Sequence, residues 1–321
     1  DHVAWAGLHV YDLVFPVFVF MMGVAIPFSL RRMLATSGRA AAERRIARRA
    51  VLLFILGVLY YGGLSHPLSD VRWLGVLQRF GICYLAAGTL FLNSTPRALV
   101  GVCVGLIVGY WVLLRFVPVP GFGAGDFAEG HNLTNWLDMK FLPGRKWDGD
   151  HDPEGLLSTL PAIASCLLGV FSGMWLQSER RIPLLRAAAL FIAGGVVFAA
   201  GRIWAQDFPV IKKIWTSTFV LEAGGIGAMA LATFYLVIDV WKVRAWATPF
   251  VWVGSNALAV YILCNVVEFG PLARRFAGGS VEAILDRMRP GLGGLVVAVL
   301  SICLCFAAAR FLYRRKIFLR L

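Results

Sequence analysis

Charge is scarce in this chain, and acidic charge is scarcest: 18 Asp and Glu among 321 residues, against 31 Lys and Arg. Long polar stretches are also missing, with 59% of residues hydrophobic and a mean hydropathy of +0.73. Those values exclude a soluble domain, in which apolar runs of about 20 residues do not recur along the whole length. Cysteine is limited to Cys83, Cys103, Cys166, Cys264, Cys303 and Cys305, all inside apolar runs and with no CxxC pair. They read as small packing residues, so neither a disulfide framework nor a metal site is expected. No repeat of fixed period is visible. Neither a starting Met nor a secretory leader opens the chain, so further sequence is expected upstream of Asp1. A net charge of +13 would suit nucleic acid, but the basic residues sit between apolar runs rather than on one soluble face. No nucleic-acid partner is expected.

What is present is a series of apolar runs, at about 11–30, 50–65, 74–93, 98–117, 156–176, 184–204, 217–238, 249–267 and 291–312. They predict an all-α polytopic membrane protein of about nine transmembrane helices, embedded in a lipid bilayer. The connecting segments alternate in charge. One set carries Arg31, Arg32, Arg39, Arg44, Arg45, Arg48 and Arg49 in a 31–49 loop, then Arg97, Arg180, Arg181, Arg186, Lys242 and Arg244. With the tail residues Arg310, Arg314, Arg315, Lys316 and Arg320 it holds 18 basic and 3 acidic residues, and so should face the cytoplasm. The other set contains all five histidines, His2, His9, His66, His131 and His151. An odd number of spans with a cytoplasmic C-terminus puts the N-terminus outside. The whole of 1–321 reads as one transmembrane domain, with a Gly- and Pro-rich outer loop at about 118–155 acting as a lid.

Strongly polar residues inside the apolar runs are few, and each needs a reason. Asp12 opens the first run ten residues after His2. An intramembrane carboxylate marks a functional site unless it merely caps a helix at the interface. Beside a histidine, which exchanges protons near neutral pH, it points to acid–base chemistry. Asp12 either fixes a histidine tautomer or pairs with a buried arginine, for which Arg79, next to Gln78, is the natural candidate. Asp152 and Glu154 either cap the following helix or hold a hydroxylated or amino-bearing substrate. Lys213 and Trp215, with neighbouring Lys212, read equally as interfacial anchors or ligand contacts. Glu222, Asn256 and Asn265 complete the set. Glu222, followed by Gly224 and Gly225, suits an alternative function, a secondary transporter using buried Asp, Glu and Arg for ion or substrate passage.

Five motifs then fall in order along nearly the whole chain: His2 through Asp12-Leu13-Val14-Phe15-Pro16 to Gly23, Gly75-Val76-Leu77-Gln78-Arg79, Asp152-Pro153-Glu154-Gly155, Lys213-Ile214-Trp215-Thr216-Ser217 and Gly254-Ser255-Asn256-Ala257-Leu258. Together they resemble the heparan-α-glucosaminide N-acetyltransferase family and its bacterial relatives. The resemblance implies a transmembrane acyltransferase that moves an acetyl group from cytoplasmic acetyl-CoA to an amino or hydroxyl group of an extracytoplasmic sugar or glycan. In that family the catalytic histidine matches His2 and the aspartate of the same block matches Asp12. Carried over as substrate- or cofactor-binding residues are Gln78, Arg79, Asp152, Glu154, Lys213, Trp215, Ser217 and Asn256. Acetyl-CoA would be the co-substrate, no metal is implied, a homodimer fits the family, and a bacterial inner (cell) membrane is the expected location. The family carries a further span with an asparagine before the His2 block, and Ile211 stands where it has an asparagine before the lysine–tryptophan motif.

Overall fold

The computed structural model describes residues 2–65, 67–178 and 182–319, with Leu64 and Asn265 described by backbone alone. His66, Arg180, Arg181, Arg320 and the Asn265 side chain, all named above, lie outside the described residues, as does Glu179, one of the three acidic residues of the set expected to face the cytoplasm. Among the described residues the regular structure is helical, with isolated β-bridges and no strand. Compact packing divides the chain into two units, one ending at Val240 and one beginning at Trp241.

The first unit holds α1 (Val14–Ser37), α2 (Arg39–Tyr60), α3 (Val76–Asn93), α4 (Pro96–Phe116), α5 (Leu133–Phe141), α6 (Thr159–Leu176), α7 (Pro183–Trp204) and α8 (Ser217–Phe234). Helix starts follow local chemistry. Thr95 accepts the Ala98 amide ahead of Pro96 on α4, and Thr216 accepts the Phe219 amide at the start of α8. The 31–49 segment, expected as a loop, is helical instead. α1 runs to Ser37, Gly38 turns the chain at φ +81°, and α2 begins at once, so the arginines ride on helix ends. Only glycine adopts that backbone without strain.

Small residues allow the core helices to approach closely. A Cβ at Gly23 of α1 would lie 1.9 Å from the Cys166 carbonyl oxygen, and one at Gly169 of α6 would lie 1.9 Å from that of Phe20. Gly194 of α7 and Gly225 of α8 face each other similarly. This is how membrane helices associate where lipid offers no hydrophobic gain: backbones approach through small residues and gain dispersion contact. Val19, Ile26, Cys83, Cys166, Leu167, Trp215 and Phe219 fill the space between α1, α3, α6 and α8. The cysteines Cys83, Cys103 and Cys166 are buried free thiols.

The second unit contains α9 (Thr248–Ser255), α10 (Ala257–Val266), α11 (Phe269–Ala277), α12 (Ser280–Met288) and α13 (Leu292–Arg314). α11 and α12 occupy a stretch read above as a connection, and Ala273 and Ala277 of α11 pack on Val297 of α13.

Six helices are long and apolar enough to cross a membrane: Val10–Ser37, Pro96–Phe116, Thr159–Leu176, Pro183–Trp204, Ser217–Val240 and Leu292–Arg314. The expected 249–267 span is broken at Asn256 into two helices bent by 70°. The expected spans 50–65 and 74–93 are helical within α2 and α3 but are not among the six. Half of α2 is arginine-rich, and α3 carries Gln78 and Arg79. Of the nine expected spans, six meet that length and hydropathy test, or seven with the bent pair, among the described residues.

Candidate functional site

The chain before α1 folds back on the turn before α8. The Gly7 amide donates to the Val210 carbonyl at 2.8 Å, and Ala6 bridges Ile211. A 3-10 turn, Val10–Leu13, then presents Asp12 to this fold-back segment. The carboxylate is 1% exposed. Its Oδ2 accepts the His9 amide at 3.0 Å and the Val3 amide at 3.3 Å, while Oδ1 lies 2.5 Å from His2 Nδ1. Of the two readings of Asp12, the histidine partner is the one present. Arg79 bonds elsewhere, because the turn aims the carboxylate back along its own chain.

The third member is Lys212. Its Nζ lies 2.9 Å from His2 Nδ1, 3.3 Å from His2 Nε2 and 3.4 Å from Asp12 Oδ1. Burial lowers the Lys212 pKa, with Asp12 opposing that shift. The three charges are linked through one ring. A carboxylate at Nδ1 favours the tautomer with its proton there, which leaves the Nε2 lone pair as an acceptor, with the Lys212 ammonium 3.3 Å from it. The imidazole is half exposed and packs edge-on against Tyr11. A buried anion at one ring nitrogen and an acceptor lone pair at the other, on a half-exposed ring, is the geometry of a general base.

A second, more deeply buried group adjoins it electrostatically, since Lys212 feels Glu154 as well as Asp12. Arg72 grips Asp152 with two bonds, Nε to Oδ2 at 2.9 Å and Nη2 to Oδ1 at 2.7 Å, and donates to Glu154 Oε2 at 2.7 Å. Its guanidinium lies over the rings of Tyr61 and Trp147, 4.4 and 4.9 Å from their centroids. Burial works against the Arg72 charge, but Asp152 and Glu154 outweigh it and raise its pKa. Burial also drives the Glu154 carboxyl upward, against the pull of Arg79 and Arg72. Asp138 on α5 accepts the Leu156 amide at 2.8 Å and is pushed up to about 6 by burial. Asp152 and Glu154 therefore satisfy an arginine rather than cap α6.

The remaining expected residues separate by role. Gln78 is fully buried and donates to the Arg72 carbonyl at 3.2 Å. Arg79, also buried, donates through Nη2 to Ser158 Oγ at 2.5 Å and to the Gly155 carbonyl at 3.3 Å, and lies 5.0 Å over the Trp215 ring. Its Nε and Nη1 have no hydrogen-bond partner. Trp215 sits at φ +53°, a strained position for a large side chain, and donates to Ser165 at 3.0 Å. Ser217 donates to the Ile107 carbonyl at 2.6 Å inside the core. Lys213 turns away from His2 to Glu129 and Asp148, 2.7 and 3.1 Å away. Glu222 pairs with Arg202 at 3.3 Å. Asn256 belongs to the second unit, where it is buried at the helix break with both amide atoms lacking hydrogen-bond partners.

Sequence reasoning overlooked Arg72 and Asp138 and passed over Lys212 in favour of its neighbour. One signal was available for Arg72: two acidic residues ahead of an apolar run require a cation, and Arg72 lies between Val71 and Trp73 at the edge of another. At the other end of α1, Arg44, Arg45 and Arg48 stand exposed on α2. A cavity of about 420 Å³ opens near that end, lined by Val24, Phe28, Leu176, Arg186, Tyr235 and Asp239 among others.

Residues 3–77 match a family model described as Domain of unknown function (DUF5009). Heparan-alpha-glucosaminide N-acetyltransferase of Homo sapiens is 30% identical over 328 residues, covering 83% of this chain and 49% of the human protein. The protein of the same name from Mus musculus is 28% identical over 323 residues, with the same coverage. This chain spans about half the length of these relatives. Its apolar helices and these relatives mark it as an integral membrane protein. The resemblance carried by the five motifs is matched by these relatives: over 83% of its own length, this chain is similar to the heparan-α-glucosaminide N-acetyltransferases.

Proposed function

We propose that this chain is a transmembrane acetyltransferase that takes an acetyl group from cytoplasmic acetyl-CoA and delivers it to an amino or hydroxyl group of a sugar or glycan beyond the membrane. The observation that supports this most is the His2–Asp12–Lys212 cluster, a half-exposed imidazole backed by a fully buried carboxylate where an apolar helix begins. His2 Nε2 takes the proton of the acceptor N–H or O–H. The freed nitrogen or oxygen attacks the acetyl carbonyl carbon, the carbon–sulfur bond breaks, and the imidazolium returns the proton to the departing thiolate. Asp12 holds the tautomer and stabilises the charged ring. In the alternative route, His2 itself carries the acetyl group between donor and acceptor.

The other groups supply binding. Glu154 and Asp152, held by Arg72, present acceptor atoms for sugar hydroxyls or an amine. Arg79 offers its unpartnered Nε and Nη1 donors, with Trp215 as an apolar wall. Lys213 fixes the neighbouring outer segment, Gln78 and Ser217 hold the surrounding backbone in place, and Asn256 sets the helix break in the second unit. The donor carries several phosphate charges that will not cross about 30 Å of hydrocarbon. Its landing zone is the arginine-bearing turn between α1 and α2, with the nearby cavity as an opening for the thioester arm. In this reading His2 lies outside and the tail in the cytoplasm of a bacterial cell membrane, an orientation supported by the alternation of charge between the connecting segments.

The test uses the purified chain in proteoliposomes with labelled acetyl-CoA. His2→Ala is expected to abolish transfer to a glucosamine-type acceptor while the protein still inserts and purifies. Retained turnover in that variant would remove His2 from the mechanism. Rapid quenching distinguishes the two routes, since an acetyl-carrying His2 leaves label on the protein before acceptor is added.

A further inference from the structure

A second cluster lies beside the first, and the proposed transfer leaves its chemistry unused. Glu129 Oε1, Asp148 Oδ2 and His151 Nε2 all fall within 4.8 Å of one another. His151 Nε2 is 3.5 Å from the Glu129 oxygen and 3.7 Å from that of Asp148. A tetrahedral zinc ion with bonds of about 2.0–2.1 Å separates its ligand atoms by roughly 3.4 Å. Two of the three separations are thus already near that spacing, and the third lies within 4.8 Å.

The histidine carries the inference. Its side chain is 5% exposed, and Nε2 has no hydrogen-bond partner. A buried ring nitrogen is normally satisfied, so one aimed between two carboxylates calls for a ligand. Its other nitrogen, Nδ1, lies 2.5 Å from Asp150 Oδ1. A carboxylate behind one nitrogen holds the proton there and leaves the opposite lone pair facing outward, as in metal-bound histidines. The backbone fixes the group locally, because the Asp148 amide donates to the His151 carbonyl at 3.1 Å. One cation already reaches both carboxylates: Lys213 Nζ, 2.7 Å from Glu129 Oε1 and 3.1 Å from Asp148 Oδ2.

We propose that Glu129, Asp148 and His151 form a binding site for a divalent cation of the zinc class, whose two carboxylates are shared with the Lys213 ammonium. Two cations on the same oxygens repel, so metal and Lys213 are alternative occupants, and binding of one swings the other out. Sequence reading expected no metal because it looked to cysteines, whereas these ligands come together only through the folding of the 126–151 segment. The inference stands whether or not His2 transfers acetyl groups.

The full chain, purified in detergent and stripped with a chelator, is titrated with zinc chloride by calorimetry. Cobalt(II) is then substituted to read coordination from its visible absorption. One equivalent is expected to bind, with tetrahedral cobalt bands. His151→Ala and Glu129→Gln should each weaken binding by at least roughly tenfold, the scale on which metal sites respond to lost support. Lys213→Met should tighten it severalfold. Glu129 is on the surface, so its substitution decides the matter even if the buried His151 variant fails to fold. Absence of saturable binding to the wild-type chain, or binding that survives Glu129→Gln, overturns the site. Unchanged affinity in Lys213→Met overturns the sharing of carboxylates.

Discussion

Four groups converge on the buried carboxylate of Asp12: two backbone amides, an imidazole and an ammonium. Replacing it with asparagine preserves size while removing the charge that selects the His2 tautomer. In Asp12→Asn, kcat for acetyl transfer is expected to fall by roughly 10²–10⁴-fold, as when a base loses its orienting carboxylate. KM for acetyl-CoA should change little. A variant with near wild-type kcat would show that Asp12 serves only the fold-back turn. At this scale, part of the site could be read directly from the sequence. His2 and Asp12 stand out because titratable groups beside apolar runs are rare and costly. Lys212 does not, since choosing between adjacent lysines depends on which way the 209–216 turn points each side chain.

At the scale of elements, α5 and the segments around it connect charge to stability. Burial raises the Asp138 carboxyl from an ordinary 3.8 to about 6, while the Leu156 amide pulls the other way. Between about pH 4 and 6 the folded chain therefore holds a proton that the unfolded chain has released. Stability from this group is full below that window and lost as pH rises through it. A shift of about two units corresponds to about 3 kcal/mol. Unfolding of wild type and Asp138→Asn, compared at pH 4.5 and pH 7, should show the wild type losing ground to the variant by up to that amount. A difference independent of pH would reject the assignment. The neighbouring Arg72–Asp152–Glu154 group ties the C-terminal end of 118–155 to the segment before α3: a buried guanidinium lying over two aromatic rings needs both carboxylates in place.

At the scale of the whole molecule, the proposed chemistry is divided between the two ends of α1. That helix has 24 residues, about 36 Å at 1.5 Å per residue, with Asp12 just before its start and Gly38 just after its end. Donor capture at the arginine turn and proton transfer at His2 should therefore be separable by mutation. Arg44, Arg45 and Arg48, changed together to glutamine, are expected to raise KM for acetyl-CoA severalfold, most at low salt, and to leave kcat nearly unchanged. An equal loss in kcat would place those arginines in some other role.

Composition and periodicity alone settled the broad architecture, because a bilayer tolerates only satisfied backbone and helices satisfy it within one segment. Where polar residues enter a helix, as in α2 and α3, the expected spans are helical but fall outside the length and hydropathy test that the others meet, and the break at Asn256 left no trace in periodicity. Titratable residues in apolar surroundings were equally visible, since their cost depends on local sequence. Which of them meet was decided by tertiary structure. Asp12 found His2 and Lys212 rather than Arg79, and Asp152 and Glu154 found Arg72, because partners 80 or 200 residues apart are brought together by packing between helices. Hydropathy is a property of each segment, whereas a charge pair is a property of the folds that join two of them.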